Sequence, residues 1–116
     1  MLVVEDESDA REVVQRFLAK CGAVTAVAAS AAEALTLLLK FKPDIIVSDI
    51  GMPHMDGYEF IREVRKQGIT TPALALSAYV RAEDCLRSVQ SGYQSHLDKP
   101  VEMKQFLAVL ANLVSK

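Results

Sequence analysis

The chain predicts an alternating α/β fold: five parallel strands in one open sheet, helices on both faces, strand order 2-1-3-4-5. Short aliphatic runs and amphipathic stretches alternate five times through 116 residues, joined by brief polar connectors, which is the pattern of βαβ units. The run Ile45-Ile46-Val47 is apolar at every position rather than every second one, as a strand covered on both faces requires. Right-handed crossovers then favour an order that sets strands one and three side by side at the centre.

The elements follow in order. Leu2 to Val4 is the first strand. Val13, Val14, Phe17, Leu18 and Cys21 recur at helical spacing behind it, with Ser8 or Asp9 as N-cap and Gly22 as the stop. A weaker strand at Val24 to Ala28 leads to Ser30 and Glu33, an S-x-x-E capping box, after which Leu35, Leu38 and Leu39 make a buried face until Pro43 ends the helix. The third strand runs into Asp49-Ile-Gly-Met-Pro-His-Met-Asp-Gly, a loop punctuated by Gly and Pro, and helix three carries Phe60, Ile61 and Val64 before Gly68. Pro72 introduces strand four, Ala73 to Leu76. Ala82, Cys85, Leu86 and Val89 then form the inner face of helix four, stopped by Gly92. After strand five, Ser95 to Asp98, the stripe Met103, Phe106, Leu107, Leu110, Leu113 and Val114 marks the last helix.

Composition bounds the function. One domain over residues 1–116 fits this length, with a core large enough to need no disulfide or structural metal. Hydrophobic residues make up 51% and charged residues 24%, and no apolar run approaches the roughly 18 residues needed to span a bilayer. With no basic leader pattern, the expected address is cytoplasmic, without membrane contact. A net charge of -2 leaves no basic stripe for nucleic acid. Cys21 and Cys85 are far apart, in no C-x-x-C arrangement, and are expected on helices as buried or half-buried thiols of a reducing compartment.

In this fold the carboxyl ends of the strands share one rim, where open α/β sheets bind ligands. Glu5 and Asp6 follow strand one, Asp49 ends strand three, and Ser77 and Lys99 end strands four and five. Two carboxylates about 4 Å apart repel by roughly 4 kcal/mol at an effective dielectric near 20, so such a trio needs an answering charge. Magnesium suits it, with manganese as a substitute: oxygen ligands from Asp6 and Asp49, Glu5 acting through water, and a carbonyl from the following loop, that of Gly51. With Lys99 added the site is near neutral and can accept a phosphoryl group. Asp49 is the candidate nucleophile toward phosphorus, with Lys99, the Ser77 hydroxyl and the metal each taking one phosphoryl oxygen. His54 is a plain exposed loop histidine in this reading, because magnesium prefers oxygen.

Glu5-Asp6-Glu7, Ser48-Asp49-Ile50-Gly51-Met52-Pro53 with Asp56-Gly57, Leu76-Ser77-Ala78, and Lys99-Pro100, in order and across the whole chain, resemble the receiver domains of two-component response regulators. The resemblance implies a flavodoxin-like (βα)5 three-layer sandwich. It implies transfer of a phosphoryl group from the phosphohistidine of a histidine kinase or phosphotransfer domain onto Asp49, with magnesium at Asp6 and Asp49 assisted by Glu5. Ser77 and Lys99 become the switch hydroxyl and the phosphate-contacting lysine. The chain is then a signalling phosphoacceptor rather than a turnover enzyme, and the face of helix four, strand five and helix five shifts for a downstream effector or fused kinase domains.

Departures from the family pattern carry their own expectations. The switch aromatic three residues before the lysine is His96, with different hydrogen bonding and a charge that changes near pH 6 to 7. Gly51 offers no side chain to shield an acyl phosphate, while Tyr79 stands where it would do so from the other side. The stretch from Gly92 to Glu102 is similar to receivers fused to sensor histidine kinases, and an excised module or a free-standing receiver would both read this way. Two rivals remain: a degenerate receiver that binds partners unphosphorylated, and a magnesium-dependent phosphatase of the haloacid dehalogenase type. The phosphatase pattern D-x-D-x-T is broken by Gly51.

Overall fold

The computed structural model describes residues 1–52, 54–78, 82–99 and 101–114, with the backbone alone at 82, 83 and 85. In chain order the elements are β1 (Leu2–Val4), α1 (Ser8–Lys20), β2 (Ala26–Ala28), α2 (Ala31–Leu38), β3 (Ile46–Asp49), α3 (Gly57–Lys66), β4 (Ala73–Ser77), α4 (Ala82–Ser91), β5 (Ser95–Asp98) and α5 (Met103–Val114). All strand pairs are parallel, in the order β2-β1-β3-β4-β5. This is the strand order that the pattern predicts and the flavodoxin-like (βα)5 sandwich that the resemblance implies.

Strand residues alternate between two buried layers. Leu2, Val4, Ile46, Ala73 and Ala75 pack on α2 and α3 through Ala31, Ala34, Leu38, Phe60, Ile61 and Val64. Val3, Val47, Leu74, Leu76 and Leu97 pack on α1 and α5 through Val14, Leu18, Phe106, Leu110 and Leu113. Phe60 and Phe106 are fully buried, one in each layer, where truncation to Ala typically costs about 3–5 kcal/mol. Register sets the rim: Val4 pairs with Ser48 and Ala28, Asp49 with Leu76, and Ser77 with Asp98. Glu5, just beyond β1, therefore stands level with Asp49, the last residue of β3, and Lys99 follows two residues past that level at the end of β5.

Caps and faces differ in detail from expectation. Glu7, not Ser8 or Asp9, is the N-cap of α1, and it makes no side-chain capping bond. Ser30 accepts from the Glu33 N–H at 3.1 Å as expected, but the Glu33 carboxylate reaches back to the Ala29 N–H instead of that of Ser30. β2 begins at Ala26, leaving Val24 80% exposed beyond the ladder. Leu39 lies past the end of α2 as its C-cap and is exposed, so Ala31, Ala34 and Leu38 carry the buried face. Cys21 follows α1 as its C-cap and is exposed, because Gly22 at φ +75° turns the chain there. Val13 and Val114 are also more exposed than a core stripe requires.

The largest correction concerns α4. Leu86 and Val89 are 59% and 62% exposed, while Ser88 and Ser91 are buried, so these two apolar residues assigned to its inner face point outward. The side chains of Ala82 and Cys85, assigned to that face as well, lie outside the described residues. The inward position is held by a hydrogen bond instead: Ser88 Oγ lies 2.8 Å from His96 Nδ1. No helix among the described residues is long and apolar enough to cross a membrane.

Candidate functional site

The rim residues converge. Glu5 extends the β1 ladder by donating its N–H to Ala28 O, and its own carbonyl accepts from Arg11 of α1 at 2.9 Å. Asp6 follows and is exposed, while Glu5 and Asp49 are 4% and 6% exposed. One oxygen from each of Glu5, Asp6 and Asp49 lies within 4.8 Å of the others. Lys99 enters from β5, its N–H bonded to Ser77 O at 2.8 Å. Its Nζ stands 2.7 Å from Glu5 Oε1 and 3.0 Å from Asp49 Oδ1.

The electrostatics follow from that crowding. Burial, reinforced by Asp49 and opposed by Lys99, pushes the Glu5 carboxyl up to about 7. Burial works against the charge on Lys99, but hydrogen bonds and attraction from Glu5 and Asp49 outweigh it and raise its pKa. Glu5 Oε2 is buried with no hydrogen-bonding partner among the described residues. An orphaned carboxylate oxygen beside two further carboxylates is a donor set that fits a hard divalent cation such as magnesium. Lys99 is thus held between the Glu5 and Asp49 carboxylates.

The other predicted residues take different positions. Ser77 ends β4, half-buried, with its carbonyl committed to Lys99. Gly51 is exposed on the loop with open space where a Cβ would be, so no acid stands two residues beyond Asp49. That is the position at which the phosphatase reading needs one. His96 faces α4 rather than the acid trio, and burial, opposed by Asp84 and Asp98, lowers its pKa. The expected charge change near pH 6 to 7 is therefore displaced downward. His54 is exposed, and Tyr79, the candidate shield, lies outside the described residues.

Two contacts around Asp49 escaped the sequence reading. The first turn of α3 rests on the main chain of Asp49: a Cβ on Gly57 would lie 2.5 Å from Asp49 O and 2.7 Å from Ile50 Cα. The signal was available, since glycine inside a helix start costs stability unless a backbone must approach closely. Tyr93, buried before β5, donates its hydroxyl to Gly57 O at 2.8 Å. Nothing in its sequence neighbourhood marks that contact, which spans 36 residues.

A family model described as the response regulator receiver domain matches residues 1–111. The chain is 42% identical over 112 residues to an uncharacterized 14.6 kDa protein of Leptolyngbya boryana, covering 95% of this chain and 86% of that one. It is 38% identical over 119 residues to the sensor histidine kinase RcsC of Salmonella typhimurium, covering 100% of this chain but only 13% of the kinase. Among solved structures, the chemotaxis protein CheY4 of Vibrio cholerae matches with a TM-score of 0.92 and 32% identity, over 97% of this chain and 95% of that one.

Proposed function

Because the chain belongs to the response regulator receiver domain family, we propose that Asp49 is the residue through which it performs two-component phosphoacceptor signalling. The observation that carries this is the position of Lys99, whose ammonium lies 3.0 Å from Asp49 Oδ1 and 2.7 Å from Glu5 Oε1. A carboxylate oxygen of Asp49 attacks the phosphorus of a phosphohistidine on a histidine kinase or phosphotransfer domain. As the P–O bond forms, the P–N bond breaks and its electron pair returns to the imidazole nitrogen, leaving an aspartyl phosphate. Glu5, Asp6, Asp49 and the Gly51 carbonyl would hold magnesium, or manganese in its place, which would supply charge neutralisation for the phosphoryl oxygens. Lys99 turns to one phosphoryl oxygen and the Ser77 hydroxyl donates to another.

The new charge, about -1.5 to -2, draws Ser77 and Lys99 inward and shifts the face of α4, β5 and α5 between two arrangements. His96 belongs to that switch, since it bonds α4 through Ser88. The exposed Leu86 and Val89 give the face apolar surface for a partner to read. In this reading residues 1–116 act as one receiver, in the cytoplasm, with a downstream effector or fused kinase domains as the recipient and no nucleic acid or membrane contact.

The test is intact mass. Incubation with magnesium and acetyl phosphate should add one phosphate to the chain and none to Asp49→Asn. An unchanged parent mass, or an equal increment in the variant, would refute the assignment.

A further inference from the structure

Tyr93 sits where the end of α4 meets the start of α3. Its backbone N–H bonds Ser88 O at 3.0 Å, closing the C-terminal turn of α4, and its hydroxyl bonds Gly57 O at 2.8 Å at the start of α3. The residues on either side of it are clamped from α3: Arg65 donates to Gly92 O at 2.9 and 3.1 Å and to Gln94 Oε1 at 3.1 Å. The ring is therefore fixed at both ends, and it is 2% exposed. Burial raises the phenol far above its ordinary pKa, so it remains a donor across the working range.

Gly57 is the point at which that strut meets the acceptor. It lies against the Asp49 carbonyl closely enough to exclude a methyl group, and its N–H bonds Ile50 O at 2.9 Å, closing the loop that carries Gly51. The Asp49 carbonyl also accepts the Ser48 hydroxyl at 3.0 Å. A force on Gly57 is a force on the main chain of Asp49, with no soft side chain between them.

We propose that Tyr93 is a positioning residue for the phosphoacceptor: through Gly57 it holds the main chain of Asp49 in place and couples it to the C-terminus of α4. This rests on the reading of Asp49 as acceptor. The hydroxyl reaches the main chain at Gly57 O. Its contribution is to keep the carboxylate aligned, and misplacement of a reacting group by about 1 Å can cost on the order of 100-fold in rate.

The experiment uses Tyr93→Phe, which keeps the ring and removes one oxygen. Phosphate uptake from acetyl phosphate at saturating magnesium is followed by mass spectrometry over time and over donor concentration. The rate constant at saturating donor should fall about fivefold or more, and the half-saturating donor concentration should stay unchanged, because the donor site is intact. Leu110→Val, in the opposite layer, serves as a control for lost stability alone and should keep the parent rate. A Tyr93→Phe rate within twofold of the parent, or an equal slowing in Leu110→Val, would overturn the inference while leaving Asp49 as acceptor. A parent that takes up no phosphate would overturn both.

Discussion

Removing the ammonium from the rim tests the electrostatic design directly. In the metal-free chain Lys99→Met leaves Glu5 and Asp49 facing each other with no cation between them, where Nζ now stands 2.7 and 3.0 Å from their oxygens. At an effective dielectric near 20, charges at those separations attract by about 6 and about 5.5 kcal/mol before desolvation is counted. The net loss on stripping one partner from a buried pair is smaller, about 3–5 kcal/mol. That loss must depend on pH, because the Glu5 carboxyl is pushed up to about 7 from its ordinary value of 4.5. At pH 8 it is ionised and the full loss applies. At pH 5.5 it carries a proton, one of the two uncompensated charges is gone, and the loss should fall to about 2 kcal/mol. For a chain of this length 1 kcal/mol corresponds to roughly 3–6 °C in Tm. Thermal unfolding followed by circular dichroism should therefore show a drop of about 10–25 °C at pH 8 and roughly half that at pH 5.5. Added magnesium should raise the Tm of Lys99→Met by more than that of the parent, since the ion then answers three carboxylates alone. Equal drops at the two pH values, or no extra response to magnesium, would refute the account of the site as a charge balance.

Three further outcomes follow from the same geometry. The contribution of Glu5 to metal-free stability is fully present below pH 4.5 and lost as pH rises to about 7, because the unfolded chain gives up that proton first; magnesium affinity measured by calorimetry should accordingly tighten by up to about tenfold per pH unit below 7 and level above it, and Glu5→Gln should flatten the profile. His96 behaves in the opposite sense: its lowered pKa gives stability that is complete above 6.5 and lost as pH falls, since the unfolded chain takes up the proton first, so urea unfolding at pH 5.5 and 7.5 should differ less in His96→Phe than in the parent. Asp56 caps α3 by accepting the Glu59 N–H at 2.9 Å, and Asp56→Ala should cost about 1 kcal/mol in urea unfolding; an unchanged midpoint would show that cap to be idle.

How far pattern reaches into this molecule differs between elements. Phe60, Ile61 and Val64 in α3, and Phe106, Leu110 and Leu113 in α5, stand on their expected inner faces because each helix buries one broad apolar stripe against the sheet. α4 misleads because Leu86 and Val89 of its stripe face water, while Ser88 takes an inward position and meets His96 of β5 through a hydrogen bond. Periodicity reports that one side of a helix is apolar, and says nothing of whether that side is covered. Leu39 and Cys21 mislead for a simpler reason: each lies one residue past the helix that its spacing seemed to extend.

Element order, strand order and the rim on which Glu5, Asp6, Asp49, Ser77 and Lys99 gather were legible in the linear chain. Alternating periods and crossover handedness are local or topological constraints, and they place strand ends without reference to side-chain contacts. Which oxygen Lys99 reaches, why Glu5 holds its proton, and that Tyr93 braces Gly57 against Asp49 depend on groups brought together from 94, 44 and 36 positions away. Such contacts are set by the packing of both layers at once. Desolvation, which raises the Glu5 pKa, comes into being only when that packing removes water.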